Sequence, residues 1–489
     1  MEIYSNHPFH FDPETRRQLG QQLIEIINQY FSSLPSRNVQ LPLEQRTFRQ
    51  LTDAIPEQSD DPARVLAQIS AELIEQGFHV PSANYFGLMN PTPTYIAVLA
   101  EALVAALNPQ LATQARSQMA ARIENETVRW IGERVGWPID KGFGGTFTSG
   151  GNEANLTCLA LALTHQFPKV VDEGLVSISS QPVFYASEES HHSLDKSAGM
   201  MGLGRKALRR IPVTERIQMD ITMLEQAITA DIAAGHKPFA VVATAGTTNS
   251  GAVDDMVAIA EICQRHQLWL HVDGAYGAAA IFSDKHRNLV RGIELADSIT
   301  INPHKWLAMP FAAGVALTSH PELLEATFGT HTPYMPKTTG ATMTDNFKVS
   351  TQWSRRMNSL KLWLTLRIHG RQAYETHIDR QMQLSSALAE HVRQNDSFEL
   401  ASPQFVPILN LRLKLSGATE AEIAARHAAI VDEVTCSGER WISVTQVAGR
   451  SVIRIMVISY LTEQRHLDAL WEALQSAATI VSIKENARH

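Results

Sequence analysis

The stretch Ser298-Ile-Thr-Ile-Asn-Pro-His-Lys-Trp306 decides how this chain is read. Its first residues form a short apolar and β-branched run that fits a strand buried on both faces. Asn302-Pro303 ends the run, because proline brings no N–H to a ladder. His304 and Lys305 follow at once. A lysine just past a buried strand is desolvated, which disfavours the ammonium and leaves a nucleophilic amine. Most lysines after a turn are ordinary surface residues, so the weight of Lys305 depends on how the neighbouring strands end.

Outward from this point, between about Thr94 and His369, short apolar runs alternate with longer helical stretches. Strands are predicted at Gly145 to Ser149, Val183 to Ala186, Ala240 to Thr244, Leu268 to Asp273, Ser298 to Asn302 and Ala313 to Thr318. Helices such as Glu153 to His165 and Asp255 to Gln267 lie between them. Alternation of this kind predicts an α/β layer on a mostly parallel sheet. Ligands of such sheets bind off the carboxyl ends of the strands.

The flanks differ. Leu19, Leu23, Ile24, Ile26, Ile27 and Phe31 recur at helical spacing within Pro13 to Phe31, and Asp60 to Gly77 reads as a second helix. Leu34 to Leu43 reads as an extended connection. The apolar faces of both helices are narrow and need a partner surface. Beyond Ala373, a helix is predicted at Gln381 to Gln394, strands at Val406 to Leu413, Trp441 to Val447 and Ser451 to Ser459, and helices at Ile423 to Val434 and His466 to Ala477. The division that follows is an N-terminal helical segment (1–92), a large α/β domain (93–372) and a smaller α+β domain (373–489).

A chain of 489 residues is too long for one simple core. Its formal charge of −8 argues against nucleic acid or an anionic membrane as partner, since both call for a basic patch. Met1 to Phe11 carries no apolar signal core, and Tyr95 to Leu107 is too short to span a bilayer and contains Glu101. Cys158, Cys263 and Cys436 are far apart and odd in number, with neither a disulfide framework nor a zinc spacing. A reducing cytoplasm and no metal are the expectation.

Four other strand ends carry residues of interest. His271-Val-Asp-Gly-Ala-Tyr276 places Asp273 at a strand end, where an aspartate is usually a cap or turn residue. Beside a lysine-bound pyridine cofactor it would keep the ring nitrogen protonated, so that the ring acts as an electron sink. Ala275 is small enough to lie against a ring face. In Thr148-Ser-Gly-Gly-Asn-Glu-Ala154 two glycines turn a strand into a helix, whose N–H groups and positive end suit a phosphate. An ordinary turn capped by Asn152 is the plainer reading, and neither a Walker loop nor a dinucleotide fingerprint fits. Ser187-Glu-Glu-Ser-His-His192 offers a histidine to stack on a ring, or a solvent-exposed pair. Ala243-Thr-Ala-Gly-Thr-Thr-Asn249 offers Thr247 to a ring hydroxyl, or is merely a turn.

In this order the motifs resemble the group II pyridoxal-phosphate-dependent amino acid decarboxylases. Asn84-Tyr-Phe-Gly-Leu-Met-Asn-Pro91 and Ser354-Arg-Arg-Met-Asn-Ser-Leu-Lys-Leu-Trp363 are similar to that family too. The resemblance implies fold type I, as in aspartate aminotransferase, and a homodimer whose N-terminal segments wrap the partner subunit. It implies that Lys305 holds pyridoxal phosphate covalently, Asp273 pairs with the pyridinium, and Ala275 and His191 pack on the ring. Gly150, Gly151 and Asn152 would bind the phosphate with Asn302 and His304, and Thr247 would lie near the ring. Arg355 would meet the substrate carboxylate, with Tyr85, Leu88 and Gln110 around the substrate. Tyr334 would protonate Cα from a lid that includes Thr338 to Asn346.

The implied reaction is decarboxylation of an L-amino acid. Leu88 stands where glutamate decarboxylases carry a glutamine, which disfavours glutamate. Gln110 and Ala112 leave an aromatic substrate open, and Asp273-Gly-Ala-Tyr-Gly is more similar to bacterial aromatic decarboxylases, so an aromatic amino acid is favoured over an aliphatic or diamino acid. The rivals are an oxidative aldehyde synthase, whose loop tyrosine is replaced by phenylalanine, an aminotransferase, and a silent cofactor-binding protein.

Overall fold

Seven short strands pair into one sheet: β1 (Gly144–Thr148), β2 (Pro182–Ser187), β3 (Leu208–Ile211), β4 (Lys237–Thr244), β5 (Trp269–Asp273), β6 (Ser298–Ile301) and β7 (Gly314–Thr318). The computed structural model describes residues 7–42, 45, 47, 54–330, 332 and 344–486. The strand order is β1-β7-β6-β5-β4-β2-β3. From β3 to β6 every pairing is parallel, and β7 runs antiparallel to both its neighbours. This is the mostly parallel α/β sheet of fold type I.

The sheet is buried on both faces, which is why its strands read as nearly continuous apolar runs. Side chains alternate between the faces along each strand. Val241 and Ala243 of β4 join a core with Val272, Ile299 and Val315, while Ala240 and Val242 join one with Phe184, Phe239 and Trp269. β3 was not anticipated. Its sequence, Leu-Arg-Arg-Ile, lacks an apolar centre because it lies at the sheet edge, where Arg209 pairs with Asp231 and Arg210 with Asp195.

A second sheet of β8 (Phe398–Leu400), β9 (Ile408–Leu413), β10 (Ser443–Val447) and β11 (Arg450–Met456) has order β10-β11-β9-β8, antiparallel throughout. The helix expected from Gln381 begins at Ser359 and runs to Arg393. Gly370 interrupts it at φ 73°, a left-handed value that suits glycine and reads in sequence as a break.

The chain forms two compact units. One comprises Leu88–His427 and Ser443–Tyr460 and contains both sheets. The other comprises Met1–Gly87, Ala428–Ile442 and Leu461–His489. In the latter, Asp12 caps the helix Pro13–Ser33 by accepting from the N–H groups of Glu14 and Thr15, and Asp61 caps Pro62–Gln76 by accepting from Arg64. Neither helix has a buried residue in the single chain. No helix of the described residues is long and apolar enough to cross a membrane.

β7 begins with a close approach. A Cβ at Gly314 would lie 2.7 Å from the backbone of Gly150 and 2.5 Å from Thr148 Oγ1. Such contacts force backbone to shift. Gly314→Ala is therefore expected to destabilise the chain by about 1–3 kcal/mol and to weaken any ligand held by the Gly150-Gly151 turn. The urea midpoint should fall at unchanged slope, and an unchanged midpoint would contradict the packing described.

Candidate active site

Strand ends converge on a cavity of about 170 Å³. The turn after β1 supplies Gly151 and Asn152, and the loop after β2 supplies His191. β4 ends in Thr244 and leads to Gly246 and Thr248; β5 ends in Asp273 and leads to Ala275; β6 leads to Asn302 and Lys305. A wider hollow of about 770 Å³ lies around Trp269, Asp297 and His320, at the opposite ends of these strands. Volume does not choose between them; the convergence of strand ends does.

Burial lowers the pKa of Lys305, and the charge of Asp273 opposes that only in part. The amine is thus drawn toward its neutral, nucleophilic form. Asp273 is buried and its Oδ2 accepts from Asn155 Nδ2 at 2.8 Å, while Oδ1 accepts from the Ala275 N–H at 3.2 Å. His191 lines the cavity, and its Nδ1 accepts from the Ser193 N–H at 3.1 Å. Desolvation lowers its pKa, with Asp273 opposing.

The helix Gly151–Gln166 opens at this cavity with no side-chain cap on its first turn. Its free N–H groups and positive end favour an anion. Asn302 is packed over the turn so closely that a Cβ at Gly151 would lie 2.8 Å from its Nδ2. Its Oδ1 is buried without a partner among the described residues, as is Thr244 Oγ1. An amide turned about its last bond offers either a donor or an acceptor, so Asn302 has hydrogen-bonding capacity left for a ligand. An aldehyde-trapping amine, a carboxylate, a small flat residue and an anion site in one cavity suit pyridoxal phosphate.

Other expected site residues lie differently. His304 does not line the cavity. Its Nδ1 accepts from the Ala313 N–H at 2.9 Å, its ring packs on Phe311, and its pKa falls to about 3 because it is buried. A Cβ at Gly150 would lie 3.3 Å from its ring, so it backs the turn. Thr247 is buried in its own turn, where its hydroxyl meets Ser250 Oγ at 2.6 Å and accepts from the Ala252 N–H. Tyr85 stacks on Trp441 with ring centroids 5.6 Å apart, in the unit that holds the N-terminal helices. Leu88 is exposed, and Gln110 donates to Ser354 Oγ at 2.7 Å. Tyr334 lies outside the described residues, as does most of the expected lid.

Arg355, expected at the substrate carboxylate, does not line this cavity. It pairs with Glu124 at 2.7 Å, and both side chains are only 1% exposed. Arg355 Nη1 donates to the Phe147 carbonyl and Glu124 Oε1 accepts from the Phe147 N–H. β1 is an edge strand, so the pair satisfies backbone groups that no strand meets. Sequence reading also missed Asn155, Ser193, Thr244, Gly246 and Thr248, which line the cavity. One signal was present: an asparagine inside a helix, one turn after Gly151, is unfavourable unless its amide has a partner.

A fold-type-I sheet with a desolvated lysine and a buried aspartate at its strand ends defines the pyridoxal-phosphate enzymes as the class. The family described as "Pyridoxal-dependent decarboxylase conserved domain" matches residues 43–414, and the chain belongs to it. The chain is 30% identical to an aromatic-L-amino-acid decarboxylase of Bacillus atrophaeus, over 96% of this chain and 97% of that protein. It is 27% identical to a 4-hydroxyphenylacetaldehyde synthase of Rhodiola rosea, over 96% of this chain and 97% of that protein. The structure of Oryza sativa TDC with PLP and tryptamine superposes with a TM-score of 0.90 at 26% identity, covering 96% of this chain and 99% of that one. The protein is an enzyme that uses pyridoxal phosphate to decarboxylate an L-amino acid.

The Glu124–Arg355 pair yields a test. Glu124→Gln leaves a buried guanidinium without its counter-charge, which costs about 3–5 kcal/mol. A lowered urea midpoint with little change in KM is expected. A large rise in KM at unchanged stability would point instead to a substrate role for Arg355.

Proposed function

We propose that the substrate is an aromatic L-amino acid, which leaves as its amine after CO2 is lost. The observation that carries the site assignment is Lys305, its pKa lowered by burial, in one cavity with the hydrogen-bonded carboxylate of Asp273. The substrate class draws on the named activities of the relatives and on Leu88, which offers no polar group to a side-chain carboxylate.

Lys305 would hold the cofactor, with the phosphate against Gly150, Gly151, Asn152 and Asn302. Asp273 would face the ring nitrogen, and Ala275 and His191 the ring faces. Bound there, pyridoxal phosphate supplies a protonated ring that withdraws electrons from the bonds at the substrate Cα. Lys305 would hold the cofactor until the substrate amine takes its place, a role that needs the neutral amine which burial favours. His304 supports the Gly150 turn from behind, and Thr247 and Ser250 hold the turn that carries Gly246 and Thr248. Tyr334 is assigned, from the sequence resemblance alone, the proton delivered to Cα after CO2 leaves.

The second reading is an aldehyde synthase, favoured by the Rhodiola relative. Without a prompt proton at Cα, reaction with oxygen and water gives aldehyde, ammonia and peroxide. Tyr334 speaks for the amine.

The active species is proposed to be a homodimer in a reducing cytoplasm. Leu23 and Ile24 of one N-terminal helix and Val65 and Leu73 of the other stand exposed in the single chain, as a dimer contact requires. All three cysteines are free. The partners are the amino acid and a second copy, with neither nucleic acid nor membrane.

Borohydride reduction and peptide mapping should find the pyridoxyl group on Lys305, and Lys305→Ala should lose the label. A screen of amino acids that records CO2, amine and peroxide together should give most CO2 and matching amine from an aromatic substrate. The Tyr334→Phe enzyme should shift product toward peroxide. Label on another lysine, or turnover of aliphatic acids only, would overturn the respective assignment. Sedimentation should show a dimer at micromolar concentration, and an active monomer would refute the assembly.

A further inference from the structure

Behind the cavity, Asp273 is the last member of a chain of buried polar groups. Asn155 Nδ2 donates to Asp273 Oδ2 at 2.8 Å and to Ser193 Oγ at 3.1 Å. Asn155 Oδ1 lies 3.1 Å from His271 Nε2, and His271 Nδ1 lies 2.9 Å from Ser298 Oγ and 3.2 Å from the Ser298 carbonyl. Ser298 Oγ in turn accepts from Trp269 Nε1 at 2.8 Å. Asn155, His271 and Ser298 are each no more than 1% exposed.

The chemistry of these groups allows one arrangement of protons. A carboxylate only accepts, so the Asn155 amide must turn its NH2 toward Asp273 and its oxygen toward His271. That oxygen needs a donor, so His271 carries its proton on Nε2. Nδ1 is then an acceptor and takes the hydroxyl proton of Ser298. Burial supports the neutral ring, for it lowers the pKa of His271 to about 4 against the opposing charge of Asp273. From Trp269 to Asn155 each link therefore has a donor pointing toward Asp273, while the second amide N–H of Asn155 goes to Ser193.

One consequence concerns the two carboxylate oxygens. Oδ2 is taken by Asn155. Among the described residues Oδ1 has one hydrogen bond, the longer one from Ala275, and Asp273 lines the cavity. We infer that Asn155 and His271 are positioning residues of the decarboxylase: they lock the Asp273 carboxylate by Oδ2 so that Oδ1 is presented to the ring nitrogen of the cofactor. This rests on the reading that Asp273 faces that nitrogen. Neither residue touches the reacting atoms; both act through Asp273. His271 fixes the amide of Asn155, and Ser298 and Trp269 fix the tautomer of His271.

The test uses apo-enzyme reconstituted with cofactor labelled with 15N in the ring. The ring-nitrogen resonance reports protonation, and cofactor affinity and turnover are measured beside it. Asp273→Asn should move the resonance to the unprotonated position. Asn155→Leu, which keeps the branched shape and removes all three amide hydrogen bonds, should move it part of the way. It should also lower kcat about tenfold or more, as losses of groups that orient a ligating side chain do, at little-changed KM. His271→Leu should act in the same direction, while His271→Gln, which restores an N–H near the place of Nε2, should keep the wild-type resonance. If both leucine variants bind cofactor with the wild-type resonance and kcat, whatever their melting temperatures, the residues are merely structural and the inference is wrong. If Asp273→Asn itself leaves the resonance unmoved, the assignment of Asp273 has failed, and that outcome is distinct from the first. Should Asn155→Leu not fold, the contrast between His271→Leu and His271→Gln decides alone.

Discussion

Asp273 is a carboxylate only 4% exposed at the end of a central strand, and it can stand there only if protein groups replace the water it has lost. Much of the site follows from that demand. A donor must come from the helix Gly151–Gln166, which therefore has to start close against β6 and β7. The start is possible because Gly151 leaves room for the Asn302 amide and Gly314 leaves room for the Gly150 backbone. The same approach turns the uncapped first turn of the helix toward the cavity, so one packing constraint serves both the carboxylate and the anion site.

Burial also sets the charge states around Asp273. It draws Lys305 toward the neutral amine, and it holds His304 and His271 neutral with pKa values near 3 and 4. In such surroundings a single carboxylate acts on the cavity with little competition, and low polarity strengthens its effect. Arg355, also buried, pairs with Glu124, and its Nη1 donates to the edge strand β1.

The residues most legible in the sequence were those at strand ends. Lys305, Asp273, Ala275, His191 and Gly151 follow apolar runs directly, and they line the cavity. Asn155 and Thr244 were not legible, because one sits inside a helix and the other closes a strand, where their types look like ordinary interior residues. Thr247 was placed one residue from two that do line the cavity, since nothing in a turn sequence says which hydroxyl closes the turn on itself. The ion pair of Arg355 was not legible either: its partner Glu124 is remote in the chain, and no local pattern announces such a pair.

By itself the sequence determined the alternation of strands and helices, hence a parallel sheet with its ligand site at the carboxyl ends, and it marked a lysine and an aspartate there. Only the tertiary structure decided which strand ends meet, that Arg355 serves an edge strand, and that Asn155 reaches Asp273 across 118 residues of chain. The division has a physical cause. Hydrophobic periodicity and turn chemistry are local properties, readable within a dozen residues, whereas the partner of a buried polar group is chosen by whatever the packed fold brings within 3 Å of it.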